Sequence, residues 1–306
     1  MVAVAGDVFS EGTLQRRTAQ AAEFARRNPT VVVSASVLLA MALMATFATH
    51  LAPDPMALNP AVRLKPPCMM EAVGFEFTTS CMGWFGTDHL GRDVYARTVY
   101  GARISLTVGL AVAALSTAFG LLIGLLAGYV RLFDAIVMRV MDGLMAIPSI
   151  LLAIALMALF GSSVQNVIIA ISIPEIPRVV RLVRAVVLTI REMPYVEAAV
   201  SSGTRLPKIL FRHILPNTFA PLMVQATYVC AAAVIVEALL SFLGAGTPPE
   251  IPSWGNMMAE GRVYFQIKSW MLFYPGVCLA LMVLMVNLLG DGLRDTLDPR
   301  IARRMR

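Results

Sequence analysis

The side chains with the most chemistry to offer stand in one polar stretch, REMPYVEAAVSSGTRLPKILFRHILPN, which begins at Arg191. It holds two carboxylates, Glu192 and Glu197, and one imidazole, His213. General acid–base work requires such groups within hydrogen-bond reach of one substrate atom. The two glutamates are five residues apart, which puts them on different faces of a helix, and His213 has no evident partner at helical spacing. The chain has no HExxH and no GxxxxGK[ST], the patterns that a helix-borne zinc site and a phosphate-cradling loop require. Its three histidines and four scattered cysteines form no CxxC-type metal site. The sequence therefore assigns no catalytic residue and no metal ligand. The polar stretch reads as a docking surface of two short helices, with Pro194 near one start, Gly203 as its stop, Pro207 as a second start and Pro216 as a second stop.

The elements that must position this surface are set by composition. Of the 306 residues 58% are hydrophobic and only 14% charged, and the mean hydropathy is +0.73. A water-soluble domain would carry about a quarter of its residues as charges. The chain reads as one membrane domain. Its net charge of +6 would suit nucleic acid, but Lys and Arg flank the apolar blocks and form no basic face with interleaved aromatics. The expected contact is lipid, not nucleic acid.

Crossing about 30 Å of hydrocarbon takes about 20 helical residues. Uncharged runs of that length cover 28–53, 104–130, 143–174, 214–236 and 269–290. The third is too long for one upright helix and contains Gly161, Ser162, Ser163, Gln165 and Asn166, a polar turn at which it divides. Six spans are expected, at roughly 31–51, 104–130, 134–160, 164–186, 218–242 and 270–291. The first reads as a retained anchor, because its apolar stretch exceeds the about 7–15 residues of a signal segment.

With the N-terminus inside, all but seven of the 25 Lys and Arg fall on the inner side; the seven are Arg63, Lys65, Arg92, Arg97, Arg103, Arg262 and Lys268. Positive residues are retained in the cytoplasm, so both termini are expected there. The resulting organisation is a cytoplasmic tail at 1–30, an anchor helix at 31–51, an extracytoplasmic segment at 52–103, a helical membrane domain at 104–293 with a cytoplasmic loop at 187–217, and a cytoplasmic tail at 294–306.

Several side chains stand out within this frame. Ser116, Gly120, Gly124 and Gly128 recur every four residues, on one helix face, where missing side chains let another backbone approach. Cys68 and Cys81 share the exported segment, where a disulfide is permitted and would contribute about 3 kcal/mol by restricting the unfolded chain; the alternative is two free thiols. Cys230 and Cys278 fall inside spans and act as small apolar groups. Asp134 and Asp142 have Arg131 and Arg139 beside them, which suggests ion pairing near the inner surface. Glu237 lies inside the fifth span, and an acid there reads either as a pathway or gate carboxylate or as one half of an ion pair toward the outer interface.

The pattern Glu197-Ala198-Ala199, then Gly203, then HILPN from His213 through Pro216 to Asn217, resembles the EAA loop of permease subunits in bacterial ABC importers. GTDHLGRDVYARTVYGARISL at 86–106, AIPSILLAIAL at 146–156, RLVR at 181–184, EALLSFLGAG at 237–246, PSWGNMMAEGR at 252–262 and NLLGDGLRDTLDPR at 287–300 resemble the C-type permease of the dipeptide, oligopeptide and nickel branch. The likeness runs from about residue 30 to the C-terminus. It implies an all-α, polytopic type I ABC importer transmembrane domain in the bacterial inner membrane, with about six transmembrane helices.

The resemblance further implies that Glu197, Ala198, Ala199, Gly203, His213 and Pro216 serve ATPase coupling, the loop inserting into a cleft of a cytoplasmic ABC ATPase. ATP and Mg would be bound by one or two such partner subunits, with no cofactor in this chain. The other implied partners are a second, B-type permease and an extracytoplasmic substrate-binding protein. Dipeptides or oligopeptides are the implied cargo, with nickel chelates as the alternative. Glu175, between Pro174 and Pro177, departs from the family pattern; it reads as a partner of Arg178 or as a pathway contact. An ATP-independent secondary transporter would carry internal repeats, and none is visible.

Overall fold

A computed structural model describes residues 25–26, 28–69 and 80–297. Most of the tail expected at 1–30, and the tail expected at 294–306 beyond residue 297, lie outside the described residues. Regular structure among the described residues is helical apart from one isolated bridge between Thr87 and Asp93.

The first apolar run forms α1 (Pro29–Thr46) and, after a turn at Phe47, a short α2 (Ala48–Leu51). A loop leads to α3 (Val94–Tyr129), which begins ten residues before the uncharged run because Asp93 caps it, accepting a hydrogen bond from the Tyr95 amide at 2.8 Å. Next come α4 (Arg131–Met145), α5 (Ser149–Phe160) and α6 (Val164–Arg191). The polar turn falls at 161–163: Gly161 takes φ +81°, Ser163 accepts from the Asn166 amide, and the Asn166 side chain donates to the carbonyls of Phe160 and Gly161.

The single third span expected at 134–160 is instead a broken pair, α4 and α5 meeting at 89°. The cause is Pro148, which cannot donate to the helical ladder and pushes Ile147 out of helical geometry. Among the described residues four stretches are long and apolar enough to cross a membrane: α1, α3, residues 206–242 and residues 270–296. Five are reached if the broken pair counts as one crossing. The remaining helix, α6, has 28 residues, ample length, but Glu175, Arg178, Arg181 and Arg184 interrupt its apolar character. Pro174 and Pro177 lie inside it without ending it.

The core is built on the packing of α3 against α6. Gly120, Gly124 and Gly128 face Val179, Val183 and Val187, and Ser116 Oγ reaches the Ser172 carbonyl at 3.4 Å. A Cβ on Gly128 would stand 2.6 Å from the Val187 Cβ, so the backbones approach only because it is absent. The described residues continue through α7 (Pro194–Ser201), α8 (Leu206–Ile209), α9 (Leu215–Phe242), α10 (Trp254–Gly261) and α11 (Trp270–Leu297). Asp134 and Asp142 do form ion pairs, but with Arg184 and, at 2.5 Å, Arg181, not with Arg131 and Arg139. Both acids turn toward α6, where a second helix supplies the cation.

Candidate functional site

The polar stretch links α6 to α9 through two helical pieces. Pro194 and Pro207 each sit in a first turn, where a missing N–H costs nothing. The end of α7 is closed by two hydrogen bonds, Gly203 N–H to the Val200 carbonyl at 2.9 Å and Thr204 N–H to the Ala199 carbonyl at 3.1 Å. This closure needs a left-handed residue, and Gly203 supplies it at φ +71°. Val196, Ile209, Leu210 and Ile214 are buried and anchor the pair, while Glu197, Ala198 and Gly203 are exposed and Ala199 half-buried.

Pro216 does not stop the second helix. α8 passes through a π-helical turn, Leu210–Ile214, straight into α9, so residues 206–242 form one helical stretch. The wider turn accommodates a residue without a donor at the start of α9. His213 is half-buried, its ring 6.4 Å from that of Tyr195. Asn217 joins the two pieces, donating from Nδ2 to Tyr195 Oη at 3.2 Å and to the His213 carbonyl at 2.8 Å. Sequence spacing does not reveal Tyr195, because its partners His213 and Asn217 lie 18 and 22 residues away across a turn. The arrangement can present a firm convex surface; it brings no acid and base together.

Glu237 is fully buried. It accepts hydrogen bonds from Ser241 Oγ at 2.9 Å and Ser105 Oγ at 3.4 Å, and the Ser253 hydroxyl at the start of α10 also bonds it, so its partners among the described residues are hydroxyls and not a cation. Glu237 thus lies inside the bundle, where α3, α9 and the start of α10 meet. Glu175 is also buried and accepts from Arg178 at 3.0 and 3.2 Å.

In the loop before α3 the Sγ atoms of Cys68 and Cys81 are bonded, and the segments beside them pair through Cys68 N–H to Gly83 O and Met82 N–H to Pro66 O, each 3.0 Å. Below them lies a knot of charge that sequence spacing does not reveal. Asp88 accepts from Arg92 at 2.6 Å and Arg97 at 2.7 Å; Glu260 accepts from the same two arginines at 2.6 and 2.5 Å. Burial would raise the Asp88 carboxyl, but the guanidiniums of Arg92 and Arg97 outweigh it and hold it below its ordinary 3.8. Asp88, His89 and Glu260 offer ligand atoms within 4.8 Å of one another, yet a metal ion would have to displace both guanidiniums from the carboxylates. Trp254, fully buried, locks α10 onto α3 by donating to the Thr98 carbonyl at 2.9 Å.

Residues 120–303 match the family described as binding-protein-dependent transport system inner membrane component, and residues 20–67 match the N-terminal transmembrane domain of oligopeptide transport permease C. A probable peptide ABC transporter permease protein of Sinorhizobium fredii is 53% identical over 96% of this chain and 97% of its own. A dipeptide transport system permease protein of Alkalihalophilus pseudofirmus is 41% identical over 90% of this chain and 88% of its own. Among solved structures, an inward-facing MetNI methionine ABC transporter chain superposes with a TM-score of 0.53, covering 69% of this chain and 96% of that one. At 18% identity that likeness is one of fold.

Proposed function

Because the chain belongs to the inner-membrane components of binding-protein-dependent transport systems, in their C-type peptide-permease branch, we propose that it forms half of the path of a peptide importer. The other half is a second, B-type permease. An extracytoplasmic binding protein delivers a dipeptide or oligopeptide, and one or two cytoplasmic ABC ATPases bind ATP and Mg and drive the cycle. The chain itself is non-catalytic. It sits in the bacterial inner membrane with both termini in the cytoplasm, a placement supported by the inner-side excess of Lys and Arg.

The observation that carries the reading is the exposed α7–α8 pair, anchored by Val196 and Ile209, set directly between two membrane-length helices. An exposed Glu197 pairing with a basic residue of an ATPase contributes no more than about 1 kcal/mol, so the grip must come from shape, with Ala198 and Ala199 permitting close approach. The push then needs no flexible joint. α8 is continuous with α9, so displacement at Leu206 moves a stretch that reaches Phe242.

The test is reconstitution. The complete complex in proteoliposomes takes up peptide only with ATP inside the partner compartment, and Ala198→Trp abolishes uptake while leaving the subunit inserted and folded. Uptake by this chain alone on an ion gradient overturns the proposal.

A further inference from the structure

α6 carries an arginine where a lipid-facing helix has none. Arg178 lies fourteen residues from Val164 and thirteen from Arg191, about 20 Å from either end. Its neighbour Val179 packs on Gly120, ten residues inside the uncharged run that ends at Val130, so the depth is fixed independently by α3. The Arg178 side chain is nevertheless 47% exposed, as is Arg181 one turn further on, and Ala185 and Thr189 continue the same open face. A guanidinium at that depth is too costly to face hydrocarbon.

A second observation meets it there. The break between α4 and α5, residues 146–148, lies at the level of Arg178, because Ile147 and Pro148 line one cavity with Pro174 and Arg178. Irregular backbone at that depth is tolerated only where it is buried in protein or lines a water-filled space. Ala146, Ile147 and Pro148 are exposed, and Ile147 and Pro148 border a cavity of about 130 Å³ together with Pro174 and Arg178. Charged side chain and broken helix therefore open onto one space.

We infer that this face of α6 and the break at 146–148 are the wall of the solute path, and that Arg178 meets the carboxylate of a passing solute. The inference rests on the proposed importer reading and deepens it by naming the contact and the chemistry: an anionic group, which a peptide with a free C-terminus carries. Glu175 holds Arg178 through one nitrogen, Nη1, which steers the guanidinium. Arg178 thus acts on the solute directly, whereas Glu175 is a positioning residue.

The experiment uses the complete complex in proteoliposomes, with Cys230→Ala and Cys278→Ala to remove the free thiols. Arg178→Cys should lower ATP-driven uptake of a free-carboxylate peptide about tenfold, the loss of one charge-assisted hydrogen bond. Aminoethyl methanethiosulfonate, which restores a positive charge, should recover most of the uptake, and sulfonatoethyl methanethiosulfonate should not. Unchanged uptake in Arg178→Cys, or no modification of it by either reagent, overturns the inference. If Arg178→Cys fails to assemble, Ala185→Cys reads the same face. It should be modified by the water-soluble reagents and block uptake, and reaction no faster than at Leu122→Cys, an exposed apolar position of α3, overturns the inference equally. Absence of uptake by the unmodified complex would instead remove the importer reading and leave the labelling pattern standing.

Discussion

Arg97 of α3 and Glu260 of α10 stand 163 positions apart and share a hydrogen bond of 2.5 Å, with Arg97 only 1% exposed. The same guanidinium bonds Asp88, so one arginine closes the loop before α3 and the helix before α11 onto the N-terminal end of α3. Removing it strands Asp88 beside Arg92 alone. Arg97→Gln should therefore destabilise the folded protein by about 3 kcal/mol, read as a lowered thermal midpoint in detergent. Glu260→Gln, at a side chain 20% exposed, should cost clearly less. Equal losses would contradict the burial argument.

The depressed Asp88 carboxyl gives the knot a pH signature. Its folded value lies below the ordinary 3.8, so its contribution is complete above 3.8 and disappears as pH falls through the folded value. Thermal stability should be insensitive to this group from neutral pH down to about 4 and decline below it. Asp88→Asn should flatten that decline.

The seam between α3 and α6 tolerates no added methyl. In Gly124→Ala the new Cβ would meet Val183 Cβ at 2.7 Å and Cγ1 at 2.9 Å, an overpacking that should cost about 1–3 kcal/mol. Val183→Ala in the same chain removes the Cγ1 contact but keeps the Cβ one, so recovery should be partial, with a coupling of at least about 0.5 kcal/mol. Additive effects in a double-mutant cycle would mean the two residues do not touch.

Gly203 is required for its backbone and not for space. A Cβ there meets nothing within 4 Å, yet φ is +71°. Gly203→Ala should cost about 1–2 kcal/mol locally and loosen the end of α7, while Gly203→Asn should cost less. Protease sensitivity of the 201–205 peptide bonds measures this directly, and peptide uptake should fall in the same order.

Thiol counting tests the loop before α3. Denatured, unreduced protein should show two reactive thiols, Cys230 and Cys278, and reduction should release the two of Cys68 and Cys81. Cys81→Ser should lower stability by about 3 kcal/mol by freeing the unfolded loop.

Hydropathy and turn chemistry along the chain were enough to establish an all-helical membrane protein, where most of its apolar helices lie, that a turn falls at 161–163, and that the stretch around Glu197 is a polar loop with proline starts and a glycine stop. These are local signals: hydropathy over about 20 residues and the backbone limits of Gly and Pro act without regard to what packs nearby. Tertiary structure decided the rest. Pro148 breaks its helix and Pro216 does not, because the π turn before Pro216 supplies a route that the residues around Pro148 lack. Asp134 and Asp142 had arginines close by in sequence and took Arg184 and Arg181 across an interface. Arg97 found Glu260, and Gly120 found Val179, only once the helices had docked. Which surfaces meet depends on the summed packing of whole helices, and no spacing within one helix encodes the partner that a second one brings.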